Sequence, residues 1–211
     1  MTTRLIVWRH GNTDWNAGHR VQGQTDVPLN ELGRQQAVDA AELLIRMQPT
    51  ALVSSDLSRA ADTAAALAAL TGLSVTYDER LRERSFGQWE GLTMAEVATT
   101  RPVEFARWTA GADVIGGDVE TLDDLGKRVA DAFQAAADQI PPDGIVVVAT
   151  HGAAARSGIA HLLGWPREQL RTLRALQNCH WAELTHDQER GWQLGSYNVG
   201  PFTDRPVPPP I

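Results

Sequence analysis

The chain has 211 residues, 43% hydrophobic and 21% charged, with 26 acidic against 19 basic side chains and a formal net charge of −7. That length fits one well-packed domain of ordinary size, at most with an insertion. The acidic balance argues against nucleic-acid or acidic-membrane binding, and no stretch approaches the ~20 apolar residues of a membrane helix. A single cysteine, Cys179, excludes an intramolecular disulfide and four-cysteine zinc sites. Residues 1–4 run straight into an apolar strand pattern and lack the apolar core of a signal peptide, so a cytoplasmic location is expected.

In chain order, residues 5–8 form a short run that is apolar throughout. Such a run predicts a strand buried on both faces of a parallel sheet. Ala37, Ala40, Ala41 and Leu44 at i, i+3, i+4, i+7 predict a helix. A strand over 51–55 and an alanine-rich helix over 57–70, stopped before Gly72, follow. Another strand is expected over 73–77. Residues 84–118 are less regular and read as a partly helical insertion holding Trp89 and Trp108. Leu122, Leu125, Val129, Phe133 and Ala136 predict a helix, with Thr121 and Asp124 as its capping box. Residues 145–149 are the strongest strand. Two closing strands are expected over 180–186 and 191–197, and the tail 200–211, with five prolines, cannot be regular. The alternation implies an α/β fold with a mostly parallel sheet and helices on both faces, as one domain over 1–199.

In such sheets ligands bind beyond the carboxyl ends of the strands. After residues 5–8 come Arg9-His10-Gly11; after 51–55, Asp56-Leu57-Ser58-Arg59; after 73–77, Asp78-Glu79-Arg80-Leu81-Arg82-Glu83; after 145–149, Thr150-His151-Gly152. Two histidines, several arginines and glutamates therefore arrive at one edge from four segments. Phosphoryl transfer asks for this set. Guanidinium forks hold the phosphoryl oxygens, a neutral imidazole is a nucleophile near pH 7, and a carboxylic acid protonates the departing alkoxide. Glu79 and Glu90 compete with Glu83 for that last role.

Residues 5–16, carrying Arg9-His10-Gly11-Asn12-Thr13 and Asn16, resemble the signature of the histidine phosphatase superfamily, the phosphoglycerate-mutase-like family. Ser54-Ser55-Asp56-Leu57-Ser58-Arg59-Ala60, then Leu81, Glu83, Gly87, Trp89, Glu90 and Gly91, then His151-Gly152 match its later blocks in order. The resemblance implies a three-layer sandwich and a phosphohistidine mechanism with no metal and no cofactor. It implies His10 as nucleophile through Nε2, and Arg9, Arg59 and a protonated His151 as the phosphate clamp. Glu83 would be the proton donor, and Asn16, Gln22, Gly23 and Gly152 would bind substrate. One departure is Gly116-Gly117-Asp118-Val119-Glu120-Thr121, where many relatives have G-G-E-S.

Three readings compete. A phosphoglycerate mutase would share the phosphate site, but Glu83-Arg84-Ser85-Phe86-Gly87 resembles the phosphatase type. A silent phospho-ligand scaffold would be expected to lack a nucleophile or acid. Among phosphatases, Gln22-Gly23-Gln24, residues 31–37 and Ser54-Ser55-Asp56-Leu57 resemble actinobacterial glucosyl-3-phosphoglycerate phosphatases. That implies a small phosphate ester whose leaving group carries a carboxylate and a glucose, with Arg20, Arg84 or Arg107 to meet the carboxylate. A broad-specificity phosphatase is the alternative, and a homodimer is left open.

Overall fold

The computed structural model describes residues 2–112 and 115–201. The tail beyond residue 201 lies outside the described residues. The strands are β1 (Thr3–Arg9), β2 (Ala51–Ser54), β3 (Val75–Tyr77), β4 (Ile145–Thr150), β5 (Trp181–Asp187) and β6 (Gly191–Val199). The helices are α1 (Asp14–Ala17), α2 (Glu31–Leu44), α3 (Ser58–Thr71), α4 (Met94–Thr100), α5 (Pro102–Thr109), α6 (Leu122–Asp138) and α7 (Gly152–Leu162). None of them is long and apolar enough to cross a membrane.

The strands form one sheet in the order β3-β2-β4-β1-β5-β6. The first four are mutually parallel, and β5 and β6 add an antiparallel edge. Because successive side chains point to opposite faces, each apolar run feeds two cores. Leu5, Val7, Val146 and Val148 pack against Leu125, Val129, Phe133 and Ile159 of α6 and α7. Ile6, Trp8, Val147 and Ala149 pack against Ala37, Ala41, Leu44, Ala64 and Leu67 of α2 and α3. This is the expected three-layer sandwich, and it explains why β1 and β4 show no polar alternation.

Local chemistry sets the ends. Gly72, at φ 73°, terminates α3 in the left-handed conformation, so β3 starts only at Val75 rather than at 73. Thr121 caps α6 by accepting from the Asp124 amide, but the box is not reciprocal, because the Asp124 carboxylate takes the Thr121 hydroxyl instead. The segment 84–118 carries α4 and α5 around a small separate core of Trp89, Val97, Ile115 and Val119.

The parallel order brings the carboxyl ends of β1, β2 and β4 side by side. The loop after β1 then meets the first turn of α2 backbone to backbone. A Cβ on Gly33 would lie 2.0 Å from the Asn12 carbonyl oxygen, and one on Gly11 2.4 Å from the Gly33 carbonyl oxygen. Helix propensity alone favours alanine over glycine by about 1 kcal/mol, but a backbone clash of this size outweighs it. Gly33→Ala is expected to destabilise the protein by about 2 kcal/mol or more in urea unfolding; unchanged stability would show that the two backbones do not meet this closely.

Candidate active site

His10 is the first residue beyond β1 and is 2% exposed. Its backbone amide donates to the Thr150 carbonyl at the end of β4. On its ring, Nδ1 lies 2.7 Å from the Gly11 carbonyl oxygen. A carbonyl only accepts, so Nδ1 carries the proton and Nε2 keeps its lone pair. Asn178 holds the backbone behind this imidazole, its Nδ2 donating to the His10 and Gly11 carbonyls at 3.0 and 3.1 Å. Thr63 Oγ1 accepts from the Gly11 amide.

His151, the first residue beyond β4, faces it with ring centroids 5.1 Å apart. Its two nitrogens are also assigned by their neighbours. Arg59 Nε donates to Nδ1 at 3.2 Å, and Ser55 Oγ lies 2.8 Å from Nε2. Nδ1 is therefore an acceptor, and Nε2–H donates to the serine. Burial drives the pKa of both histidines well below the ordinary value, and Arg59 adds to it. The expectation of a protonated His151 is thus corrected: in this arrangement both imidazoles are neutral, because two buried guanidiniums already supply the positive charge.

Those guanidiniums are Arg9 and Arg59, each drawn down from its ordinary pKa by burial, with Glu83 opposing. Arg59, 0% exposed, also donates to the Thr25 and Gly23 carbonyls. Arg9 Nη1 donates to the Leu176 carbonyl, while Arg9 Nε is buried with no acceptor among the described residues. A buried donor without a partner is costly, and an anion in the cleft is the group that would satisfy it. Gln22 Oε1 is a second buried atom at the cleft without a partner among the described residues.

Glu83 Oε1 accepts from the amides of Arg84 and Ala154, and Oε2 accepts from Ala153. The carboxylate thus sits at the N-terminus of α7. Its competitors are used elsewhere. Both Glu90 oxygens are bonded, to the amides of Gln24, Thr25 and Phe86 and to the Thr25 hydroxyl. Glu79 lies 77% exposed on the surface beside Arg82. Glu90 instead pins the 22–25 loop, and a Cβ on Gly23, at φ 53°, would lie 2.0 Å from its Oε1. Asn16 Oδ1 takes the Thr13 amide and hydroxyl and Asn178, so only its Nδ2 remains for a ligand.

Arg9, His10, Asn16, Gln22, Gly23, Arg59 and Glu83 line one cleft of about 170 Å³. His151 stands behind His10, and Gly152 lies against the Arg9 guanidinium, 3.5 Å from it at an added Cβ. All nine predicted site residues are therefore brought together. Sequence reading missed those that hold them. Ser55 sits inside a matched block, where the sequence gives it no role, and Asn178 belongs to no motif. Arg128 was missed entirely. It pairs with Glu120 at 2.6 Å and donates to the carbonyls of Arg80, Arg82 and Glu83, organising the segment that carries the acid. Glu120 also accepts from the Ser85 amide, so the lengthened 116–121 loop still anchors to that segment. Among the described residues, no group of three or more His, Cys, Asp or Glu side chains could hold a metal ion.

The model of the histidine phosphatase superfamily, branch 1, matches residues 5–200. The chain belongs to that superfamily. It is 39% identical to a glucosyl-3-phosphoglycerate phosphatase of Mycolicibacterium vanbaalenii, covering 93% of this chain and 94% of the relative. It is 35% identical to a probable phosphoglycerate mutase of Salmonella paratyphi A over 93% of this chain and 90% of that relative. The solved structure of a mycobacterial glucosyl-3-phosphoglycerate phosphatase in complex with VO3 is similar, with a TM-score of 0.86 and 39% identity, covering 93% of this chain and 99% of that one. The fold is thus the phosphoglycerate-mutase-like fold that the motifs imply.

Two buried neutral histidines in this superfamily member have a consequence in acid. Their folded-state pKa values lie below the unfolded value, so the unfolded chain binds more protons between the two. Stability should therefore fall as pH drops below about 6.5, by up to about 1.4 kcal/mol per pH unit for each imidazole. Urea titrations between pH 7.5 and 5 measure this slope, and it should flatten when His10 and His151 are both replaced by glutamine. A slope untouched by that replacement would assign the acid lability to other groups.

Proposed function

We propose that this histidine phosphatase hydrolyses small phosphate monoesters through a phosphohistidine, with glucosyl-3-phosphoglycerate as its substrate. The observation that carries the reading is the pairing of an unprotonated, buried His10 Nε2 with an unsatisfied Arg9 Nε in one cleft that also holds Glu83. The named substrate is supported by the 39% identity to the mycobacterial phosphatase over nearly the whole chain. The mutase reading is not favoured: over the same 93% of the chain, the probable phosphoglycerate mutase matches at 35% against 39% for the phosphatase.

In the first half-reaction His10 Nε2 attacks phosphorus, and the P–O bond to the leaving group breaks. Glu83, entering as the carboxylic acid, gives its proton to the departing oxygen. Arg9 and Arg59 hold the negative charge spread over the equatorial oxygens. In the second half Glu83 takes a proton from water, the water oxygen bonds to phosphorus and the P–N bond breaks. Inorganic phosphate and neutral His10 are restored. Ser55 and Arg59 hold His151 in one tautomer beside the transferring group. The reaction needs no metal. The net charge of −7 suits a small, locally bound anion better than a polyanionic partner, and a cytoplasmic site of action fits the single reduced cysteine.

His10→Ala should lose nearly all turnover of phosphate esters, measured with chelator present, while keeping its unfolding midpoint. Retained turnover would remove His10 as nucleophile, and activity abolished by chelator in the unaltered enzyme would overturn the metal-free mechanism. Glu83→Gln should lose roughly 100-fold or more on alkyl esters and far less on aryl esters, whose oxygens need little protonation. Equal losses on both would contradict the acid role.

A further inference from the structure

A second, larger cleft of about 430 Å³ lies beside the phosphate site and shares Trp108 with it. Among the described residues lining it are Arg84, Arg156, Arg167 and Arg171 against a single acid, Glu168. Three of these arginines are committed to building the walls. Arg84 Nε donates to the Glu120 carbonyl, and its guanidinium lies over the Phe86 ring, 5.5 Å from the centroid. Arg167 and Arg171 reach across to the carbonyls of Gly111 and Ala110, tying the end of the 84–118 segment to residues 167–172.

Arg156 differs. Its Nη1 makes one long bond, 3.4 Å, to the Leu173 carbonyl, and its Nε is buried with no partner among the described residues. Its position on α7 is what connects this cleft to the chemistry. The amides of Ala153 and Ala154 hold the Glu83 carboxylate, and Arg156 follows two to three residues on in the same helix, about 3–4.5 Å along the axis. Arg84 is the residue after Glu83 and stacks on Phe86, which lines the phosphate cleft. The second cleft is therefore joined to the phosphate cleft both at Trp108 and through the adjacent residues Glu83 and Arg84, which line one cleft each.

We propose that this cleft is the leaving-group subsite, and that Arg156 is its specificity-determining cation, binding a carboxylate on the departing group. The inference rests on the phosphomonoesterase reading above and deepens it. One incompletely used guanidinium matches one planar, singly charged carboxylate, which it grips through two donors. Trp108, 39% exposed at the junction of the two clefts, offers a ring face to the apolar and sugar-like parts of the same group. A small neutral leaving group would leave both the cleft and the cation unused. Of the cations named from sequence for this role, Arg84 is in the wall of the second cleft, Arg20 lines the phosphate cleft instead, bonded to Glu96 and the Gly91 carbonyl, and Arg107 lines neither.

The test compares 3-phosphoglycerate with glycerol 3-phosphate, which share the phosphate and chain but differ in the carboxylate. The intact enzyme should prefer the carboxylated ester in kcat/KM by at least tenfold, mostly through KM. Arg156→Gln should collapse that ratio towards unity, and Arg156→Lys should restore part of it. Free glycerate should also inhibit the intact enzyme at least tenfold more strongly than glycerol, a measurement that needs no variant. Equal kcat/KM for the two esters in the intact enzyme, a ratio unmoved by Arg156→Gln, or equal inhibition by glycerate and glycerol would each overturn the subsite. Hydrolysis of neither ester, nor of any aryl phosphate, would instead sink the phosphomonoesterase reading.

Discussion

Everything at this site depends on keeping two guanidiniums and two imidazoles buried within one small cleft. Four groups that are cations or become cations repel one another, and burial makes each charge costly. The molecule resolves this by dividing the labour. Arg9 and Arg59 keep their charge with carbonyl oxygens of Leu176, Gly23 and Thr25 accepting hydrogen bonds from them and Glu83 nearby opposing the effect of burial. The histidines give up theirs, and each ring has one nitrogen occupied in a way that fixes its tautomer. The result is a cationic pocket with a free imidazole lone pair, set inside an acidic chain. Screening over ~8 Å at physiological salt lets local and overall charge differ in sign.

The groups that do the holding lie one layer out. Glu90 fastens the 22–25 loop whose carbonyls receive Arg59. Arg128, through Glu120 and three carbonyls, fastens the segment that delivers Glu83 to the start of α7. Asn178 ties the His10 backbone to Asn16. Apart from Arg128 with Glu120, these contacts join residues far apart in the chain, so they form only when the sandwich is folded. Placing chemistry on strand ends held in this way favours fixed geometry over adaptability.

The two clefts meeting at Trp108 give the site a direction. The phosphoryl end is small, buried and cationic, and the departing end is wider and bounded by the 84–118 segment. The two tryptophans of that segment have different parts in this: Trp89 is fully buried with its Nε1 on Glu104, whereas Trp108 borders both spaces. Within a superfamily that shares one phosphate site, such a segment is where specificity can vary without disturbing the chemistry.

Much of this was legible in the chain. Runs apolar at every position marked β1 and β4, period-3.6 alanines marked α2, and Arg9-His10-Gly11 and His151-Gly152 stood out by following those strands directly. These are local signals, carried by spacing within about ten residues, and the sequence by itself determined them. Only the tertiary structure decided the rest. The motif blocks already point to Glu83, and the fold adds where the three carboxylates lie: Glu83 on the amides of α7, Glu90 on the 22–25 loop and Glu79 on the surface. The neutrality of His151 follows from burial beside Arg59, 92 positions away. Arg128, Asn178 and Arg156 carry no motif at all. Their meaning lies in which carbonyls, or which absence of an acceptor, the fold sets around them, and that depends on segments brought together only when the sheet assembles.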